Sequence, residues 1–124
     1  MISGLGIDMI EVDRIAAKIS KESGFRELVF SKKEIDYCEA MTNKFQHYAA
    51  RFAAKEAFFK ALGTGWLNGT AFNEVEISHD DKGKPILLLL GETAGVIAAM
   101  NLSVFSVSLT HLKTMASAVV VIEH

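Results

Sequence analysis

Two carboxylates in apolar surroundings, Glu56 and Asp8, are the residues of this chain best suited to chemistry. Glu56 lies in the run Asn43 to Leu62, where Phe45, Tyr48, Phe52 and Phe59 recur around it at helical spacing and Lys60 follows one turn later. Asp8 stands in Gly4-Leu5-Gly6-Ile7-Asp8-Met9-Ile10, a glycine-flanked apolar stretch. A buried carboxylate without a partner costs on the order of several kcal/mol, so a cation, a proton or a metal must meet each of them. Two readings stand side by side. Either Glu56 pairs with Lys60 at i, i+4, or the two carboxylates share an ion. Oxygen-only ligands with no histidine or cysteine cluster select magnesium rather than zinc and leave positions for water and a phosphate.

Other residues join these two on weaker grounds. Gly63-Thr64-Gly65 serves as a helix stop and turn without any ligand. Glycines also let backbone amides approach an anion, and Lys60 and Arg51 on the same helix would supply charge to a phosphate. His111 ends a strand whose Ser106, Ser108 and Thr110 share one face, and a lone histidine there is usually structural. Arg14, Lys18 and Lys21 form a basic stripe, by default a solvated helix face.

These residues need particular elements to hold them. Ile2 to Met9 reads as a short buried strand, and Val12, Ile15, Ala16 and Ile19 then recur at helical spacing until Gly24. Ser31-Lys32-Lys33-Glu34 has the form of a capping box, with a helix running to about Met41. Asn43 to Leu62 is a third, long helix. Phe72 to Ile77 and Ile86 to Leu90 pair as a hairpin through the turn His79 to Pro85, and Glu92 to Met100 is a helix of small residues. Leu102 to Thr110 and Met115 to Glu123 complete a mainly antiparallel α+β arrangement.

The composition narrows the class. The chain has 124 residues, which predicts one domain spanning 1–124, and half of them are hydrophobic, an excess that predicts oligomerisation. A formal charge of -2 argues against general nucleic-acid binding. Cys38 stands alone, so no internal disulfide forms and a reducing setting is expected. Ile86 to Leu90 is far short of a membrane span, and Asp8, Glu11 and Asp13 interrupt any signal peptide. A cytoplasmic protein with no membrane partner is the expectation.

The segment Gly6-Ile7-Asp8-Met9-Ile10-Glu11-Val12-Asp13-Arg14-Ile15 resembles the N-terminal signature of the holo-acyl-carrier-protein synthases. Arg51-Phe52-Ala53-Ala54-Lys55-Glu56-Ala57-Phe58-Phe59-Lys60-Ala61-Leu62-Gly63-Thr64-Gly65 is similar to their second, more specific signature. Gly83-Lys84-Pro85 and Ser108-Leu109-Thr110-His111 resemble further family features, and the four run in order along the whole chain.

The resemblance implies a 4'-phosphopantetheinyl transferase-like fold, a mainly antiparallel sheet with a long central helix, assembled as a homotrimer with active sites at subunit boundaries. It implies transfer of the 4'-phosphopantetheine arm of coenzyme A to a serine of an apo acyl carrier protein, in support of fatty acid biosynthesis. Adenosine 3',5'-bisphosphate is released. On this resemblance Asp8 and Glu56 hold magnesium, and Lys60 stabilises phosphoryl charge beside them. Arg51, Lys60, Gly63, Gly65, Lys84, Pro85 and His111 contact coenzyme A, with the 3'-phosphate falling to Arg51 or His111. The stripe Arg14, Lys18, Lys21 becomes a docking surface for an acidic carrier protein. Phe58-Phe59 is bulkier than the family pattern, and Leu112-Lys113-Thr114-Met115 replaces a more polar turn.

Overall fold

The computed structural model describes all 124 residues. It begins with a strand, β1 (Ile2–Glu11), expected to be short and buried but ten residues long and exposed along one face in the single chain. Leu5, Ile7 and Met9 point outward and are 66%, 65% and 65% exposed in the single chain, while Gly4, Gly6, Asp8 and Ile10 face the interior. The strand is therefore not buried on both faces. Its glycines point inward because a helix lies directly against them: a Cβ on Gly4 or Gly6 would overlap the carbonyl oxygen of Ala61 or Ala57.

That helix is α4 (Lys44–Leu62), which buries Ala49, Ala50, Ala53, Ala54, Ala57 and Ala61 together with Tyr48, Phe58 and Phe59. It is apolar on most sides because elements cover it on most sides. Gly63, at φ 78° in the left-handed region, ends it at the expected place. Beside β1 and packed on the same helix lies β5 (Met115–Glu123), which buries Ala116, Ala118, Val120 and Ile122 at alternate positions. With β4 (Val104–His111) these make an antiparallel sheet in the order β1-β5-β4. Asp8 pairs in register with Ala118, and Ser117 Oγ donates to the Asp8 carbonyl at 3.0 Å.

Three short helices close the other side of the first half of α4. Helix α1 (Val12–Ser20) follows β1 directly and buries Val12 and Ile15. Helix α2 (Phe25–Val29) has only five residues, too few for a periodic signal, and was not expected. Helix α3 (Lys32–Glu39) starts on the predicted capping box: Glu34 N donates to Ser31 Oγ at 3.2 Å, and Ser31 N donates to Glu34 Oε1 at 2.9 Å.

The hairpin of β2 (Val75–His79) and β3 (Pro85–Leu89) starts later than predicted. Phe72–Glu74 forms a 3-10 turn instead of strand, because the carbonyls of Phe72 and Val75 both turn inward to the Lys55 ammonium, at 2.8 and 2.6 Å. Helix α5 (Gly91–Ala98) then packs Ile97 into the core between the hairpin and the second half of α4.

The contact of β1 with α4 makes a measurable claim. Gly6→Val is expected to lose about 3 kcal/mol in urea unfolding, since the new side chain meets backbone that cannot yield. Gly95→Ala, on an exposed face of α5 with open space around it, is expected to gain about 0.5–1 kcal/mol. A Gly6→Val chain as stable as its parent contradicts the close approach.

Candidate active site

Because Asp8 occupies an inward position of β1, it meets the second half of α4 where Glu56 and Lys60 sit one turn apart. Lys60 Nζ lies 2.8 Å from Asp8 Oδ1 and also donates to the Ile7 carbonyl at 3.1 Å. The i, i+4 pair of Glu56 with Lys60 does not form; the lysine reaches across to the strand. It does so while 56% exposed, whereas the Asp8 side chain is 17% exposed. The hydrogen bond to Asp8, and then its charge, push the Lys60 ammonium above its usual range.

Glu56 is half-buried. Burial raises its carboxyl above the ordinary range, and the nearby Asp8 charge raises it further, while Lys60 and Lys18 oppose the shift. Two carboxylates thus share one space with a single bonded lysine, leaving a deficit of positive charge. No third carboxylate, histidine or cysteine joins them. An all-oxygen pair with room for other ligands suits magnesium, which is held by one or two carboxylates plus water and phosphate oxygens. Past Lys60 the chain turns through Gly63 and Gly65, both at positive φ with open space beside them.

Arg51 does not join this group. Nine residues separate it from Lys60, about 180° around the helix, and five separate it from Glu56, about 140°. The sequence-based pairing of Arg51 with Lys60 on one phosphate is thus not made within a chain. Arg51 is only 2% exposed, its guanidinium lies 4.3 Å from the Tyr37 ring centroid, and its Nε is buried with no partner.

Around Arg51 a second cluster gathers. The rings of Tyr37 and His79 are 4.9 Å apart, and those of His47 and His111 5.1 Å. His111 Nδ1 is 2.8 Å from Gln46 Oε1. Burial first, and then the Arg51 charge, hold His47 and His79 below the usual histidine range. Pro85 pairs in register with His79, and Lys84 stands exposed in the turn before it, where Asp80 Oδ1 accepts from Lys82 N and Lys84 N at 2.9 Å each. Tyr37, His47 and His79 were not predicted, since three unrelated elements bring them together. Of the basic stripe, Arg14 and Lys21 are exposed. Lys18 is half-buried, 5.4 Å from the Phe25 ring centroid, and its charge reaches Glu56.

The state of Glu56 has a consequence for stability. Its carboxyl is raised on folding, so between the ordinary carboxylate range and the raised value the folded chain binds more protons, and stability falls as pH rises through that window. Without divalent ions, Glu56→Gln is expected to raise the melting temperature at pH 7 and to leave it unchanged near pH 4. Equal shifts at both pH values, or a loss at pH 7, contradict the strain assigned to this carboxylate.

The sequence profile of the 4'-phosphopantetheinyl transferase superfamily matches residues 4–110. The chain is 41% identical to the holo-[acyl-carrier-protein] synthase of Solibacter usitatus over 125 aligned positions, 100% of both chains. The crystal structure of the holo-[acyl-carrier-protein] synthase of Neisseria meningitidis superposes with a TM-score of 0.91 at 30% identity, covering 100% of both chains. That of Helicobacter pylori, in complex with coenzyme A, superposes with a TM-score of 0.83 at 32% identity, covering 96% of this chain and 99% of the other. With antiparallel strands laid on α4 and Asp8 facing Glu56, the chain belongs to the 4'-phosphopantetheinyl transferase superfamily, among the holo-acyl-carrier-protein synthases.

Proposed function

We propose that this chain, acting as one domain over residues 1–124 in the cytoplasm, transfers the 4'-phosphopantetheine arm of coenzyme A to a serine of an apo acyl carrier protein and so supports fatty acid biosynthesis. The observation that carries the reading is the group Asp8, Glu56 and Lys60: two carboxylates short of positive charge beside one exposed, strongly basic ammonium. Asp8 and Glu56 would hold magnesium, which when bound supplies charge to the pyrophosphate of coenzyme A.

The serine oxygen forms a bond to the β-phosphorus of coenzyme A as the bond from that phosphorus to the bridging oxygen breaks, and the serine O–H bond is lost with its proton released to water. Adenosine 3',5'-bisphosphate leaves with the bonding electrons. Charge grows on the oxygens of the transferring group and of the leaving group. Lys60 stays protonated, and its Nζ can exchange Asp8 Oδ1 for a phosphate oxygen by rotation of an exposed side chain. Gly63 and Gly65 give the phosphates a close backbone approach free of side chains.

The other coenzyme A contacts, Arg51, Lys84, Pro85 and His111, belong to the second cluster on the far side of α4. That separation supports an active site assembled between copies of the chain, with the carboxylates of one and the second cluster of its neighbour around one coenzyme A. The outward row Leu5, Ile7 and Met9, beside Val119 and Val121 on β5, is an apolar surface suited to such an interface. Unlike patches meeting head to tail can close into a ring, and the family resemblance sets that ring as a homotrimer. Arg14, Lys18 and Lys21 on α1 would receive an acidic carrier protein, and Lys18 brings that surface up to Glu56.

Intact-mass spectrometry tests the reaction. Apo carrier protein, coenzyme A and magnesium are expected to give a carrier heavier by the phosphopantetheine arm, with the rate reduced on the order of 100-fold or more in Glu56→Ala and Asp8→Asn. A folded parent that loads no acyl carrier protein rejects the proposal.

The shared site has a separate test. Glu56→Ala and His111→Ala chains, each inactive alone, are expected to regain turnover when co-assembled, and sedimentation should give three times the chain mass. Mixed assemblies that remain as inactive as the separate variants would place all contacts within one chain.

A further inference from the structure

The least accessible charges in the molecule have no part in the chemistry above. The side chains of Lys55 and Glu34 are both 0% exposed, with Lys55 Nζ 2.7 Å from Glu34 Oε1. The same ammonium donates to the carbonyls of Phe72 at 2.8 Å and Val75 at 2.6 Å, so all three of its protons have acceptors. Glu34 Oε1 also accepts from Ser31 N, and Oε2 accepts from Ile77 N at 2.9 Å. Ser31 Oγ donates to Glu76 Oε2 at 2.7 Å. One lysine therefore ties α4 to the start of α3 and to the first residues of β2.

A buried pair of this kind is weak evidence for stability, because apolar residues of similar volume often do as well. What an apolar residue lacks is direction. Lys55 immediately precedes Glu56, so the two point about 100° apart around α4. The clamp on Lys55 fixes the roll of the helix at the step that presents Glu56 to Asp8. The strand held by the clamp leads to the turn carrying Lys84 and Pro85. A single network thus sets the helix phase and the seat of the hairpin together.

We infer that Lys55, through Glu34, is a positioning residue that keeps the Asp8–Glu56 pair and the Lys84–Pro85 turn in the mutual geometry that coenzyme A requires, an inference that rests on the function proposed above. In an assembly of identical copies this relation within each chain decides whether the carboxylates of one meet the hairpin of the next.

The test compares the parent with Lys55→Met, at a temperature where circular dichroism shows both fully folded. It measures the calorimetric Kd for coenzyme A with magnesium present, and the KM for carrier protein. Lys55→Met is expected to weaken coenzyme A binding at least about fivefold, in the range of other residues that orient ligands indirectly. The KM for carrier protein, which is set by α1, should stay within about twofold. A lower melting temperature with an unchanged coenzyme A Kd overturns the inference and leaves the clamp purely structural.

If Lys55→Met does not fold, Glu34→Gln decides. It keeps the shape of the clamp but puts a neutral amide in place of the carboxylate that meets Lys55 Nζ and Ile77 N, and is expected to weaken coenzyme A binding about twofold or more. Parental binding in folded Glu34→Gln overturns the inference. A parent that neither binds coenzyme A nor loads carrier overturns the proposed function itself, a result distinct from a working parent beside an equally working variant.

Discussion

Everything at the carboxylate pair depends on how closely the backbone of β1 can approach α4. Gly4 and Gly6 meet the carbonyls of Ala61 and Ala57 with no side chain between. Any residue larger than glycine would push the strand outward, and Asp8, two residues further on, would move with it. The ion pair with Lys60 spans only 2.8 Å, so a displacement of even one methyl diameter would break it. The alanines of α4 are the complementary half of the same constraint. They let three strands and a hairpin lie against one helix, and that makes α4 a shared reference for both clusters.

The price of that arrangement is the outer face of the sheet. Since the inward positions of β1 from Gly4 to Asp8 are glycine, glycine and aspartate, with only Ile10 beyond them, most of its strand-forming side chains fall outward. Leu5, Ile7 and Met9 therefore fall on the exposed face, the reverse of an ordinary half-buried sheet. The apolar excess in the composition and the opening of the carboxylate site thus have one origin. The strand keeps its inner face free of bulk for the helix and the site, and presents its bulk where another chain can cover it.

Much of this was legible in the sequence where the signal is local. The capping box at Ser31, the stop at Gly63 and the existence of a hairpin around the glycine turn before Pro85 are short-range matters of backbone geometry. Asp8 and Glu56 stood out because a carboxylate among apolar residues is costly anywhere. The orientation of β1 was not legible, since period-two alternation says that two faces differ without saying which is inside. Nor was the partner of Lys60. The i, i+4 rule counts only neighbours on a helix, and a strand 52 residues away in sequence offered a better acceptor. The late start of β2 depended on Lys55, whose burial is a tertiary fact. The same holds for Tyr37, His47 and His79, each unremarkable until α3, α4 and the hairpin converge on Arg51.

The electrostatics of the two clusters bear on the shared site proposed for them. At the carboxylates burial first, and then the Asp8 charge, raise the proton affinity of Glu56, while the bond to Asp8 raises that of Lys60. Around Arg51 burial first, and then the Arg51 charge, depress the proton affinity of His47 and His79. A cation at the carboxylates would relieve the first mismatch, and an anion near Arg51 the second. On the function proposed above, a molecule bearing a pyrophosphate and a separate phosphate, arriving with a divalent cation, would relieve both at once. Neither cluster can close on the other within a single chain, because α4 stands between them. The mismatch is thus preserved in the folded chain, and on the proposed function Lys60 would yield the Asp8 position to a bound cation.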